Sequence, residues 1–290
     1  MTKIKTKSEF SPIRDYQKVY GEYYYERKYF GEQIYYNKMT EAIAEYMRPW
    51  IKNKVICSTS AAALWGMPIL DPIRDNRLIV INNKGHHSYK LCKCVECRKD
   101  LQIVERAGFF ITSPLETLKK LAKITSLPST VASINYSLHE GQITANDLNY
   151  PPLKRFKKYT NYKLESPLET KGYLYVMALG FERPELQIEI RDEHNRFVAR
   201  VDMLWEKQKT IFELDGAEKM EMAENRDGYK KQQQREWKLR DMGYKIVRIM
   251  WHELSAGKLR DRLFDAGIPH QKIHELKSLA KHLADLENMV

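Results

Sequence analysis

The chain has 290 residues, of which 43% are hydrophobic and 30% charged, with a formal net charge of +11. That balance excludes a disordered chain, and the longest apolar stretches, 61-AAALWGMPIL-70 and 174-LYVMALG-180, fall well short of the roughly 18 residues of a membrane span. Without an apolar core near its N-terminus, and with four cysteines too few for a disulfide framework, it reads as a cytoplasmic protein of two domains.

The charge is unevenly placed. Residues 1–165 hold 27 Lys and Arg against 16 Asp and Glu, whereas residues 166–290 hold 22 of each. A basic half joined to a neutral half suggests one part that holds a polyanion and another with a different task. Solubility alone is the plainer account of the same asymmetry.

Residues 10–36 carry eight tyrosines, and the spacing of Tyr16, Tyr20, Tyr23 and Tyr24 suits one face of a helix. Such a stripe either docks on its own domain or stacks on bases. The stretch 40-TEAIAEYMRPW-50 is amphipathic with Thr40 as its N-cap, and 58-STSAAALWG-66 offers a Ser cap, good helix formers and a terminating Gly66. A β-rich run, 77-RLIVIN-82, then has 109-FFIT-112 as its expected partner. Two short helices and a β-ribbon outline a winged helix, in which one helix enters the major groove.

His86, His87, Cys92, Cys94 and Cys97 lie on the expected wing. Their residue types suit Zn²⁺, but Cys92, Cys94 and Cys97 are too close in sequence to wrap a tetrahedral ion easily, so a zinc site is not expected. Cys57 reads as a small buried hydrophobe.

Ser113-Pro114-Leu115-Glu116-Thr117 recurs as Ser166-Pro167-Leu168-Glu169-Thr170. Each is a helix start with Ser at N-cap, Pro at N1 and Glu closing a capping box. Between them, 151-PPLKRFKKYTNYK-163 reads as a basic linker, either touching phosphates or serving as a solvated hinge.

The second half alternates more sharply. A helix runs from Pro167 to about Leu179, followed by strands at 185–190, 197–205 and 210–215. A polar helix over about 226–242 and a strand at 244–250 complete the pattern. The crossover rule sets the last strand parallel to 210–215. The amphipathic segment 270–289 either packs on its own domain or mediates dimerisation.

Period-two geometry places Asp202 on a strand face with Arg200, and Glu213 with Asp215 on the next strand. A register setting Asp202 opposite Glu213 would gather three carboxylates, a costly cluster unless a hard cation such as Mg²⁺ neutralises it. Ordinary exposed hairpin carboxylates are the alternative.

The strings 200-RVDMLWEKQKTIFELDGAEKM-220 and 235-REWKLRDMGYKIVRIMWHEL-254 resemble the PD-(D/E)XK restriction-endonuclease-like domain, in the branch related to the very-short-patch-repair endonuclease. The resemblance implies Asp202 as first acid, Glu213 as second, Asp215-Gly216 as the diagnostic pair and Lys219 as the basic position. Glu169 matches the first-helix glutamate, and Arg235, Leu239, Gly243, Tyr244 and Arg248 match the downstream helix and strand. The usual Lys two residues after the glutamate is replaced by Asp215. In the first half, Ser60-Ala61-Ala62, Leu64, Gly66-Met67-Pro68 and 108-GFFITSPLETLKKLA-122 resemble the winged-helix domain of AbiEi-type antitoxins.

The reading is an α/β (α+β) protein: a basic N-terminal region with the winged helix over 1–150, a linker over 151–165 and a nuclease-like αβββαβ domain over 166–290. The implied function is Mg²⁺- or Mn²⁺-dependent hydrolysis of duplex DNA, in defence or repair. Asp202, Glu213 and Asp215 would hold the metal, Glu169 would support them, and Lys219 would stabilise the phosphorane charge or help activate water. The alternative is a non-catalytic, antitoxin-like transcriptional regulator, for which a toxin is the implied partner.

Overall fold

The computed structural model describes residues 4–6, 16–26, 32–82, 91–96, 100–215 and 226–270. The chain is a mixed α/β protein that divides into two compact units, Met1–Thr160 and Asn161–Val290. No helix among the described residues is long and apolar enough to cross a membrane.

The first unit opens with a small antiparallel sheet of order β1-β3-β2, built from β1 (Ile4–Thr6), β2 (Tyr16–Tyr20) and β3 (Tyr23–Glu26). The expected tyrosine helix is therefore a hairpin, with Lys18 opposite Tyr24 and Tyr20 opposite Tyr23. Gly21 explains the difference. Its φ of +57° opens a two-residue turn that a helix does not accommodate, and aromatic side chains favour the pleated surface that follows.

Helix α1 runs over Glu32–Ile51. Thr40 is thus no cap but a buried position inside it, 2% exposed. Helix α2 covers Ser58–Trp65 and ends at Gly66 with φ +79°, whereas its N-cap is Cys57, with no side-chain bond. Ser60 instead accepts a hydrogen bond from the Ile79 amide.

The main sheet of this unit has five strands: β4 (Val55–Ile56), β5 (Leu78–Ile81), β6 (Cys92–Val95), β7 (Ile103–Arg106) and β8 (Phe109–Thr112). Their order is β6-β5-β4-β8-β7. The expected pair 77–82 and 109–112 is separated by β4, which runs antiparallel to β5 and parallel to β8. The two-stranded wing is replaced by a mixed sheet whose core takes in Ile56, Leu78, Val80 and Ile111.

Helices α3 (Pro114–Ile124) and α4 (Leu127–His139) follow. Two 3₁₀ helices come next, Ala145–Asn149 and Leu153–Tyr159, the second of them within the expected linker. In the second of these Leu153, Phe156 and Tyr159 are buried at 0–5% exposure. At three residues per turn these positions eclipse on a single ridge, so this basic stretch is anchored in the first unit instead of swinging between two.

The second unit contains α5 (Pro167–Ala178), β9 (Glu185–Arg191), β10 (Phe197–Trp205), β11 (Thr210–Asp215), α6 (Arg226–Asp241), β12 (Lys245–Met250) and α7 (Ala256–Asp265). The sheet order is β12-β11-β10-β9, antiparallel except for the parallel β11–β12 pair. Helix α6 covers one face through Leu239, against Ile190, Val201, Leu204 and Ile211. Helix α5 covers the other so closely that a Cβ on Gly172 would lie 2.4 Å from a Leu214 methyl group. Residues 271–290, with the expected amphipathic helix, lie outside the described residues.

Candidate functional site

Helix α5 starts as its residues predict: the Ser166 Oγ accepts from the Glu169 amide at 3.0 Å. The reciprocal half of the capping box is displaced by one residue. Glu169 Oε2 accepts from the Glu165 amide at 3.1 Å, and from Gln187 Nε2 at 3.0 Å. Burial raises the Glu169 pKa, and the nearby Asp202 charge raises it further.

Gln187 stands in the middle of β9 with φ +54°, a left-handed conformation that is strained for a side chain of this size. Val201 pairs with Ile188 and Met203 with Leu186, which sets Gln187 across from Asp202. Val201 and Leu204, three residues apart, both join the core against α6, so the strand's alternation breaks across Asp202–Met203. This irregularity brings Asp202 to the entry of α5. The preceding Arg200 makes a bidentate pair there with Glu165, at 2.9 and 2.7 Å.

Asp202 also bridges to β11. The β10–β11 ladder ends with Met203 opposite Phe212, and beyond it Asp202 Oδ2 accepts from the Leu214 amide at 3.2 Å. One step beyond the last ladder pair, Asp202 is thus level with Glu213.

The two side chains nevertheless part. Glu213, 4% exposed, turns toward α6 and gives one oxygen to Arg235 Nη2 and the other to Arg248 Nη2, each at 2.7 Å. Arg248 is the register partner of Glu213 on β12 and also meets Glu236 at 3.4 Å. The acids thus divide into a Glu169–Asp202 pair beside α5 and a Glu213 anchor beneath α6. Asp215 enters the ladder opposite Met250, but its side chain and all of Lys219 lie outside the described residues.

Neighbouring carboxylates repel as ions, which is how the Asp202 charge raises the Glu169 pKa, and a hard cation relieves that repulsion. Mg²⁺ accepts a site of one or two carboxylates because it keeps several of its waters. Glu169 and Asp202 fit that demand, whereas Glu213 has both oxygens engaged by guanidiniums. No group of three or more His, Cys, Asp or Glu gathers as metal ligands among the described residues.

Gln187 and Glu165 escape a reading of the strand and cap patterns. Nothing local in 185-ELQIEI-190 announces a left-handed residue. In the first unit, Cys92 and Cys94 are buried in the core, and burial pushes the Cys92 thiol up to about 12. Cys97, His86 and His87 lie outside the described residues. Helix α2, one of the two helices of the expected winged helix, carries no charged residue and no exposed one. It is a core helix.

Compared with known proteins, the chain matches no family model, no curated protein and no solved structure.

Proposed function

We propose that the protein acts on duplex DNA and that its second unit hydrolyses phosphodiester bonds with Mg²⁺ or Mn²⁺. The observation that carries this reading is the Glu169–Asp202 pair, held at the break in β10 by the strained Gln187 and by the Leu214 amide. Strain and repelling carboxylates both cost stability, and such costs concentrate at sites of function. The αβββαβ order of the unit agrees with the PD-(D/E)XK resemblance.

In this reading Asp202 and Glu169 hold the ion, which polarises a phosphoryl oxygen and lowers the pKa of an attacking water. Asp202 is oriented by the Leu214 amide, and Glu169 by the Glu165 amide and Gln187. Glu213 serves as the charged pin that fixes α6 and β12 to β11, and Asp215 and Lys219 keep the roles that the resemblance implies for them.

The engagement of Glu213 by two arginines favours a second reading, a DNA-binding regulator on a degenerate nuclease scaffold. Incubating plasmid and linear DNA with the protein in Mg²⁺, Mn²⁺ or EDTA separates the two. Metal-dependent cleavage that disappears in the near-isosteric Asp202→Asn variant, with DNA binding retained, is the expected result. Absence of cleavage by the native protein with either ion refutes the hydrolase, as does full activity in Asp202→Asn.

A further inference from the structure

The second 3₁₀ helix, Leu153–Tyr159, has the sequence LKRFKKY. Its apolar ridge of Leu153, Phe156 and Tyr159 faces the core, which leaves Lys154 with Lys157, and Arg155 with Lys158, on two exposed ridges. At ~2 Å rise per residue, cations on one ridge stand about 6 Å apart, close to two base-pair steps along a single strand of DNA, about 6.8 Å.

Arg155 and Lys157 have neutral hydrogen-bond partners. Arg155 donates to the Ala122 carbonyl at 2.6 Å, and Lys157 to Asn149 Oδ1 at 3.0 Å. Arg155 and Lys158 lie over the rings of Phe156 and Tyr159. Elsewhere in the unit Arg48 is paired with Glu45 and Arg77 with Asp75. The Arg155 bond also sets the ridge beside the C-terminal half of α3, where Lys120 and Lys123 are exposed.

We infer that this 3₁₀ ridge, extended by Lys120 and Lys123, is the surface on which the protein holds the phosphate backbone of duplex DNA, an inference that rests on its acting on DNA. Phe156 and Tyr159 are turned inward, while Tyr150, just before the ridge, is 54% exposed with the Lys119 ammonium over one face of its ring. Residues 153–159 themselves therefore offer charge without a stacking ring of their own. Single-strand binders depend on exposed aromatic stacking, whereas contacts to phosphate alone position a duplex without reading its bases. Helix α2 contributes nothing to this grip, being buried and uncharged.

The test is fluorescence anisotropy on a short mixed-sequence duplex in EDTA, which measures binding apart from cleavage, across 50–200 mM salt. Lys154→Gln, Lys157→Gln and Lys158→Gln are combined in one variant; Arg155 is kept because it ties the ridge to α3. The exposed Lys38 and Lys52, changed to Gln together, form the control, and thermal melting checks the fold of both variants. The triple variant is expected to lower the slope of log K against log salt by about 2.7, at roughly 0.9 per phosphate contact, while the control stays near the native slope. An unchanged slope in a folded triple variant overturns the inference, as does absence of duplex binding by the native protein or a preference for anionic vesicles. Ridge-dependent binding without cleavage under any metal would instead sink the hydrolase and leave the ridge standing.

Discussion

Glu213→Gln removes a negative charge from a position 4% exposed on which two guanidiniums converge at 2.7 Å. Deleting one partner of a buried ion pair costs about 3–5 kcal/mol, because the remaining charge is stranded. Here Arg235 and Arg248 remain 35% and 28% exposed, so water rehydrates them in part. Arg248 also keeps Glu236, and the Gln oxygen still accepts one hydrogen bond. The expected loss is therefore about 2 kcal/mol. Urea unfolding of the native protein, Glu213→Gln, Arg248→Met and the double variant isolates the pairwise part, expected at about 1–2 kcal/mol. A coupling below about 0.3 kcal/mol, within the ordinary error of additivity, would refute the ion pair and return Glu213 to the list of metal ligands.

Glu169→Gln is expected to stabilise the metal-free protein at pH 7.5 by about 1 kcal/mol. The folded pKa is raised, so the native carboxyl loses stability as pH rises through the unfolded value near 4.3 and up to the folded one. Melting curves of variant and native protein should converge near pH 4, and a destabilised variant at neutral pH would contradict the assignment. Asp75 behaves in the opposite sense: its hydrogen bond to Arg77 lowers its pKa to about 2, so its contribution is complete above the unfolded value near 3.9 and disappears as pH falls through about 2. Asp75→Asn should cost about 1–2 kcal/mol at pH 7 and almost nothing at pH 2; a cost independent of pH would mean that the Arg77 pair is not its source.

The residues alone determined the elements whose causes are local. The Ser113 and Ser166 starts are in place because a hydroxyl three residues from an amide needs nothing else to cap it. Strands β10 and β11 fall on the expected residues, as alternation and turn chemistry act within a few positions. The same local logic misleads at Tyr16–Tyr24, where helical spacing coincides with a hairpin selected by Gly21 and by pairing with β1. It misleads again at 153–159, where a period of three hides a buried ridge in what looks like a basic linker.

The site was decided only by tertiary structure. A register setting Asp202 level with Glu213 was one possibility in the residues, but the direction of the Asp202 side chain was not legible, because the left-handed Gln187 stands across the sheet from it. Glu213 takes its charge partners from Arg235 on α6 and Arg248 on β12, 22 and 35 residues away. A buried carboxylate goes where cations compensate its desolvation, and the positions of those cations are set by the packing of the whole sheet rather than by any neighbour along the chain.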